Sequence, residues 1–517
     1  VPGETTILGA GKITGKTKSG WTIAAFDALT SEEEAFFTSG TNRDSAVVEP
    51  MTNYFVTRLA KDIGKKGRVG MLFTSVNRDL PSELTFLRKN AYSGGVDGYW
   101  FFGNRDVILE GFVGGTLVDG SKQSILDTQN SPGHYYGRPD ADHIEVDPER
   151  TSLSGWTAKA MLVKQTGKWR YNFQAQTYSP GFEVNDVGFM QRSDATSTHA
   201  ALMYNDPTPD KYFRSKFLLA TKYQNWNTAG DRIADGVFID SNVTLKNYWT
   251  IFLSPGFDLE RYDDRTTRGG PVTKEPFGWW TVWGVNSDAR KKFSAGMEQF
   301  NWRDDLGSYD HNIGFNLTYR PTPNLNVSIN PWFYTNHQYA QYVRTVGDST
   351  ALSTYKNRYV FADIDRKTLE IGTRLDWTFT SKLSLQLYLQ PFIASGDYRD
   401  FKELAAPRTS DYAHYGPDAG TISYDEGSDR YTVDPDGDGE ARPFGFRNPD
   451  FNFRSMRGNA VARWEFFPGS ALYFVWNENR ENFAPVGDFR ASRDLSAVAD
   501  AKSDDVFMIK VSYYLGL

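Results

Sequence analysis

The feature that most constrains this chain is an alternation of period two. From Phe507 to Leu517, one register holds Phe507, Ile509, Val511, Tyr513, Leu515 and Leu517, and the other holds Met508, Lys510, Ser512, Tyr514 and Gly516. The pattern recurs as Leu369, Ile371, Thr373, Leu375, Trp377 and Phe379 against Glu370, Gly372, Arg374, Asp376 and Thr378. After a Thr380-Ser381-Lys382 turn, Leu383, Leu385, Leu387 and Leu389 alternate with Ser384, Gln386, Tyr388 and Gln390. Trp169, Tyr171, Phe173 and Ala175 against Arg170, Asn172, Gln174 and Gln176 give another copy, as do Ile313, Phe315, Leu317 and Tyr319 against Asn312, Gly314, Asn316 and Thr318. Side chains at i and i+2 share one face of a strand, so these segments read as two-faced strands rather than helices.

Composition says what kind of two-faced strand this is. Only 39% of the 517 residues are apolar and the mean hydropathy is -0.54, yet 36 Phe, 28 Tyr and 14 Trp bring the aromatic share to 15%. That share is too high for a disordered chain. No run approaches the roughly 18 apolar residues of a membrane helix, so any membrane crossing is made by strands. With 57 Lys and Arg against 64 Asp and Glu, the net charge is -7, and no long basic run is present to track a phosphate backbone; nucleic acid is not an expected partner. The absence of cysteine excludes disulfides, thiolate metal sites and a cysteine nucleophile, and fits a bacterial envelope protein. The opening Val1-Pro2-Gly3 is no signal segment, so any signal peptide is expected to lie upstream or to have been removed.

The connections sort into two kinds. Short ones fall near Gly64-Lys65-Lys66-Gly67, Gly103-Asn104, Gly167-Lys168, Lys246-Asn247, Pro321-Thr322-Pro323-Asn324, Thr380-Ser381-Lys382 and Pro468-Gly469. Long ones are expected over about 31–45, 81–90, 121–150, 181–195, 262–275, 341–366, 398–450 and 486–502. Short turns on one rim and long loops on the other describe an outer-membrane barrel with its short side in the periplasm. A soluble sandwich gives no reason for that asymmetry, and no fixed repeat marks a propeller. Strands of roughly 10 to 16 residues suit a tilted crossing. Clusters such as Trp100, Phe101 and Phe102, or Trp279, Trp280 and Trp283, suit interfacial girdles.

The expectation is therefore an all-β chain, a single transmembrane antiparallel up-and-down β-barrel over 1–517 of about 20–22 strands, with 398–450 as a long extracellular loop. A pass along the chain lands on about 21 strands, an odd number where bacterial single-chain barrels are even, so one strand is expected to be missing. Twenty-two strands at ~4.8 Å spacing and ~40° tilt enclose a circle roughly 44 Å across. A lumen that wide is expected to be filled in part by inward-folded loops, an N-terminal segment or a partner chain.

Several phrases resemble one family. Tyr136 through Pro148 (YGRPDADHIEVDP) with Leu153-Ser154-Gly155, Ser179 through Phe189 (SPGFEVNDVGF), Asn448 through Asn459 (NPDFNFRSMRGN), Thr6 through Thr17 and Asn77-Arg78-Asp79-Leu80 are similar to the DUF5916 family. The resemblance spreads over essentially the whole chain. It implies an outer-membrane barrel, commonly preceded by a module similar to family 9 carbohydrate-binding domains. No such module precedes Thr6, and the family pattern places barrel sequence before this chain begins, so the natural protein is expected to be longer. The family carries no assigned function.

Four constellations bear on chemistry. Asp434, Asp436 and Asp438, closed by Gly439, place carboxylates at alternate positions around a turn, as calcium loops begin; Gly445 stands where a complete loop wants its twelfth-position Glu. The readings are a Ca2+ site or a solvated acidic loop. Asp140, Asp142, His143, Glu145 and Asp147 suit either a divalent ion or loop ion pairs with Arg138 and Arg150. For nucleophilic catalysis only His134, His143, His199, His311, His337 and His414 are on offer; Ser131-Pro132-Gly133-His134 is no nucleophile elbow, and a triad form would need a Ser and a carboxylate beside one of them. Finally, apolar faces turned to lipid would direct Arg170, Gln174, Glu370, Arg374, Asp376, Arg463 and Glu465 into the lumen, as an ion-pair ladder or a solute track. The expected setting is the bacterial outer membrane, against lipid and lipopolysaccharide. The function expected is passage or docking of a small solute, plausibly carbohydrate; the alternatives are a non-conducting anchor for a surface or periplasmic partner and a rim hydrolase.

Overall fold

A computed structural model describes residues 5–40 and 42–514. Val1, Pro2 and Gly3 at one end and Leu515, Gly516 and Leu517 of the last alternating run lie outside the described residues. The chain is all-β as expected: among the described residues, twenty-two strands join in one antiparallel meander, the arrangement outer-membrane barrels are built from. One of them, Tyr412–His414, has three residues and pairs only with the end of Leu383–Leu404. The other twenty-one are the long strands, the odd number that the alternation yields.

By its contacts the chain forms two units: 1–204, 220–237 and 261–275 make the first, and 205–219, 238–260 and 276–517 the second. In the first, each strand from Ile7–Lys16 to Ala195–Asp206 pairs with the next long strand in sequence; Met51–Ile63, for example, runs against Gly67–Asp79 through a three-residue turn. Gly64 closes that turn at φ +56, a left-handed conformation that glycine adopts without strain. In the second, the same meander runs from Thr250–Asp258 to Ser503–Ser512.

Within each unit the connections alternate short and long, as expected, with corrections. Residues 227–231 and 305–308 occupy places in the long series but are tight turns. Residues 341–366 are mostly strand: Leu325–Gly347 and Asn357–Thr380 run 23 and 24 residues and leave only 348–356 between them. Leu383–Leu404 likewise extends to 22 residues, so the long excursion is 405–450 rather than 398–450. These extensions escaped the period-two reading because both of their faces are covered. Tyr359, Val360, Phe361 and Ala362 are consecutive and all buried. They pack on Phe401, Leu404, Tyr415, Val433 and Phe446, the last two from a three-stranded sheet of Thr421–Asp425, Arg430–Asp434 and Phe444–Arg447. An apolar run buried on both sides loses its alternation.

Two helices were not expected. Lys122–Asn130 starts where the Ser121 hydroxyl accepts the Ser124 N–H at 3.0 Å, and Ala491–Ala499 begins after Arg490. Ile125 seats the first helix in a buried cluster with Val76, Ala91, Val118, Tyr136 and Leu153.

The alternating strands bury the opposite face from that of a water-soluble sandwich. On Trp169–Tyr178, Trp169 and Phe173 are 57% and 50% exposed while Arg170, Asn172, Gln174 and Gln176 are half-buried. On Thr250–Asp258, Ile251 and Leu253 are 44% and 47% exposed while Thr250 and Ser254 are half-buried. Strands that show their apolar face outward are stable where that face meets hydrocarbon.

Candidate functional site

In the first unit, three long connections fold onto the half-buried polar face. Segment 179–184 lies against the Ser152–Lys164 strand so closely that a Cβ on Gly155 would stand 2.0 Å from the Phe182 nitrogen, and one on Gly181 2.2 Å from the Ser154 carbonyl oxygen. Only glycine at both positions lets the two backbones touch. Ser179-Pro180-Gly181-Phe182 and Leu153-Ser154-Gly155, separate phrases in the sequence, are thus two halves of one contact.

That contact sets Glu183 and Asp186 among cations. Arg78 Nη1 donates to Asp186 Oδ1 at 2.8 Å, and Arg88 Nε lies 3.0 Å from Asp186 Oδ2. Glu183 accepts from the Asn185 N–H at 2.6 Å and faces His134 Nε2 at 3.0 Å. Burial pushes the Glu183 carboxyl up, but His134, the Asn185 amide and Arg88 outweigh it and hold the group below its usual range. A second knot lies beside the first. Asp194 takes His143 Nε2 at 2.9 Å, Arg138 Nη2 at 3.3 Å and the Thr228 N–H at 2.9 Å. Asp264 takes Arg138 Nη1 and Arg192 Nη2, both at 3.0 Å. Burial opposes ionisation of Asp194 as well, and its Thr228 and His143 hydrogen bonds again carry the balance downward. Burial lowers Arg265 to about 10, with its neighbours Arg192 and Arg138 acting in the same direction.

The acidic segment 140–147 is divided by this packing. Asp140 accepts the Val272 N–H at 2.7 Å, His143 goes to Asp194, and Asp147 lies 3.7 Å from Arg150. Arg138 pairs with Asp194 and Asp264, not with the segment itself. Among the described residues no group of three or more His, Asp or Glu side chains converges as metal ligands would.

A serine, a histidine and a carboxylate do meet. Ser193 Oγ lies 2.9 Å from His134 Nδ1, and Glu183 lies on the far side of the ring. The geometry differs from a hydrolytic triad in two respects. His134 Nδ1 is also 2.8 Å from the Pro180 carbonyl oxygen, so the ring donates there and has no lone pair left for the serine proton, while the Ser193 hydroxyl has the Gly133 carbonyl at 3.1 Å to donate to. Ser193 is also fully buried and His134 nearly so, which leaves no room for a scissile group.

In the second unit the residues assigned inward from sequence form short contacts along the polar face. Asn326 Nδ2 donates to Asp376 at 3.3 Å, Arg374 stands 5.7 Å over the Tyr388 ring, Glu370 accepts from Gln390, and Arg463 pairs with Glu465 at 2.7 Å. In the first unit, Arg170 donates to the Gly167 carbonyl at 3.0 Å, and Gln174 stands opposite His199. Asp310, Tyr334, Asn336, Arg366, Thr368, Glu370 and Phe392 line a cavity of about 330 Å3, where Arg366 reaches Asn336 Oδ1 through two nitrogens at 3.1 and 3.0 Å. Further along, Asn452 and Arg454 of the Asn448–Asn459 phrase hold the fully buried Asp494 at 3.3 and 2.8 Å, fixing the Ala491–Ala499 helix. Asp434 and Asp436 accept the Gly437 and Ala441 amides at 3.1 and 2.9 Å, so two of the three candidate calcium carboxylates close turns.

Ser193, Asp194 and Asp264 escaped the sequence reading because each meets its partners only through tertiary packing. Glu183, Asp186, Arg78, Asn452 and Arg454 stood inside the quoted phrases without assigned roles.

The model of a domain of unknown function, DUF5916, matches residues 1–83 and 102–517. No curated protein matches the chain. Among solved structures, the ferric enterobactin receptor mutant R480A (PfeA) of Pseudomonas aeruginosa, in complex with enterobactin, is similar at 10% identity and TM-score 0.39, over 90% of this chain and 76% of that one. The anion-selective porin of Comamonas acidovorans aligns at 11% identity and TM-score 0.28, over 62% and 91%. The outer membrane transporter YddB of Escherichia coli aligns at 9% identity and TM-score 0.38, over 97% and 67%.

Proposed function

For a chain that belongs to the DUF5916 family, we propose a bacterial outer-membrane β-barrel that passes or docks a small polar solute, with the loops of the first unit acting as a plug. The observation that carries the reading is the inverted exposure of the strands: Trp169, Phe173, Ile251 and Leu253 are exposed while the polar residues beside them are half-buried. Hydrocarbon is the medium in which that face is stable, and the bacterial outer membrane is where such strands are used.

A carbohydrate is the solute class we favour. The 330 Å3 cavity sets the Tyr334 and Phe392 rings beside Asp310, Asn336, Arg366 and Glu370, which offers a flat apolar surface and hydrogen-bonding groups together. Planar-bilayer recording and liposome swelling with neutral sugars test this. The expected result is a small conductance that rises when the plug is loosened by Asp194→Ala. Silence of both proteins would leave the anchor reading, for which the separately cored 405–450 excursion would be the docking surface. A hydrolase is disfavoured by the donor pattern at His134; retention of full esterase activity by Ser193→Ala would remove its triad form. Calcium at Asp434, Asp436 and Asp438 would bind through carboxylates that already accept the Gly437 and Ala441 amides, and calorimetric titration measures whether it does.

A further inference from the structure

We propose that the short-turn edge of the second unit docks onto the anionic headgroups of membrane phospholipid. The inference rests on the membrane reading above and adds the chemistry of the surface that this edge meets.

Four successive short connections, 207–212, 246–249, 287–292 and 323–324, the last with the strand end 320–322 that leads into it, are stitched together. The Lys246 N–H donates to the Tyr212 carbonyl at 3.2 Å and the Arg320 N–H to the Lys292 carbonyl at 2.6 Å; Arg320 Nη1 reaches the Ala289 carbonyl at 3.1 Å. The Tyr248 ring has the guanidinium carbons of Arg214 and Arg290 at 3.8 and 3.1 Å. The edge is therefore one built surface, not four independent loops.

Six of its exposed side chains are cations: Lys211, Lys246, Arg290, Lys291, Lys292 and Arg320. Three carboxylates border the edge, and all are committed, Asp206 and Asp210 to Lys216 at 3.7 and 2.6 Å and Asp288 to Arg290 at 2.7 Å. Arg290 holds Asp288 down to about 2, so that pair stays closed at any physiological pH. The remaining cations have no carboxylate within 4 Å among the described residues. In a chain of net charge -7, a compact edge of uncompensated positive charge is a local feature.

Large rings accompany these cations. Tyr212, Trp249, Phe293 and Tyr319 are all exposed on the same turns or within four residues of them in the adjoining strands. Aromatic rings settle at headgroup depth, and Lys or Arg just beyond them reach lipid phosphates. An acidic soluble protein would account for the cations but not for the bare rings beside them, so lipid is the occupant that fits both.

The test uses the full chain reconstituted in phosphatidylcholine vesicles with and without phosphatidylglycerol, and spin-labelled lipid of each headgroup as the probe. Wild type is expected to select phosphatidylglycerol, with selectivity falling as salt is raised. Selectivity should fall at least about tenfold in K211E/K246E/K291E/K292E, and persist in K89E/K356E, which carries charge reversals away from these turns. Unchanged selectivity in the fourfold variant would overturn the proposal, as would wild type that ignores headgroup charge yet binds polyglutamate tightly, the result expected of an acidic protein partner. Failure to insert into neutral phosphatidylcholine would instead break the membrane reading, so the two failures are distinguishable.

Discussion

The knot of the first unit and the extended hairpins of the second solve the same problem, holding long connections in place, with opposite chemistry. Around Asp194 and Asp264 almost every fixing contact is an ion pair or a charge-assisted hydrogen bond. Around Val360 and Ala362 the contacts are mostly apolar, with Phe401, Tyr415, Val433 and Phe446 closing a small core, while Phe361 packs with Tyr359 and Leu404 and the same strands also carry the Lys402–Asp363 and Arg358–Glu403 ion pairs. A network of charges loses its hold abruptly when one member is removed or neutralised, whereas an apolar core loses it in proportion to the volume deleted. The first arrangement suits a segment that must be released, the second a segment that must stand.

That contrast can be broken by experiment. Asp194→Ala removes the carboxylate partner of His143 and leaves Arg138 with Asp264 alone in a buried site, and should lower the opening free energy of 179–194 by about 3–5 kcal/mol, measured by hydrogen exchange. Phe446→Ala should cost the 405–450 region a similar ~3–5 kcal/mol while leaving 179–194 protected. If each change loosens both regions alike, the two are not separate devices.

Gly155→Ala comes next in size. Its methyl group would sit 2.0 Å from the Phe182 nitrogen, so segment 179–184 must back away, at about 1–3 kcal/mol. Proteolysis between Phe182 and Arg192 should quicken in the variant, and an unchanged cleavage pattern would contradict the close backbone contact.

Acid should separate the regions too. The Glu183 and Asp194 carboxyls are held below their unfolded values, so the stability they contribute is present above about pH 4 and is lost as pH falls through the lowered folded values. Conductance or proteolysis of 179–194 should therefore rise below about pH 4 while the 405–450 region stays protected. Protection of both regions down to pH 2 would argue that the carboxylates do not carry the knot.

Calcium gives the smallest expected effect. Because Asp434 and Asp436 already close turns, millimolar calcium should move the melting temperature by less than about 1 °C; a larger shift would restore the metal reading.

Legibility from sequence followed the same divide. Trp169–Tyr178 and the first part of Leu383–Leu404 are readable because one face meets one medium and the other face another, so the pattern has period two. Tyr359-Val360-Phe361-Ala362 has no such pattern because protein covers both sides, and the strand there was read as loop. The phrases around Arg78, His143, Glu183 and Arg454 marked the right segments. Their partners Ser193, Asp194, Asp264 and Asp494 are brought together by folding over tens of residues, and no local spacing announces them.

The extended hairpins also fix a height. At about 3.4 Å per residue, a 24-residue strand is roughly 80 Å long, and a tilt of ~40° leaves about 60 Å along the membrane normal, twice the ~30 Å hydrocarbon thickness. Residues 405–450 at the end of such a hairpin would stand some tens of ångströms clear of the bilayer. A Ser428→Cys change would put a single thiol on this cysteine-free chain, and an impermeant maleimide applied to intact cells would read out how high the hairpin carries it.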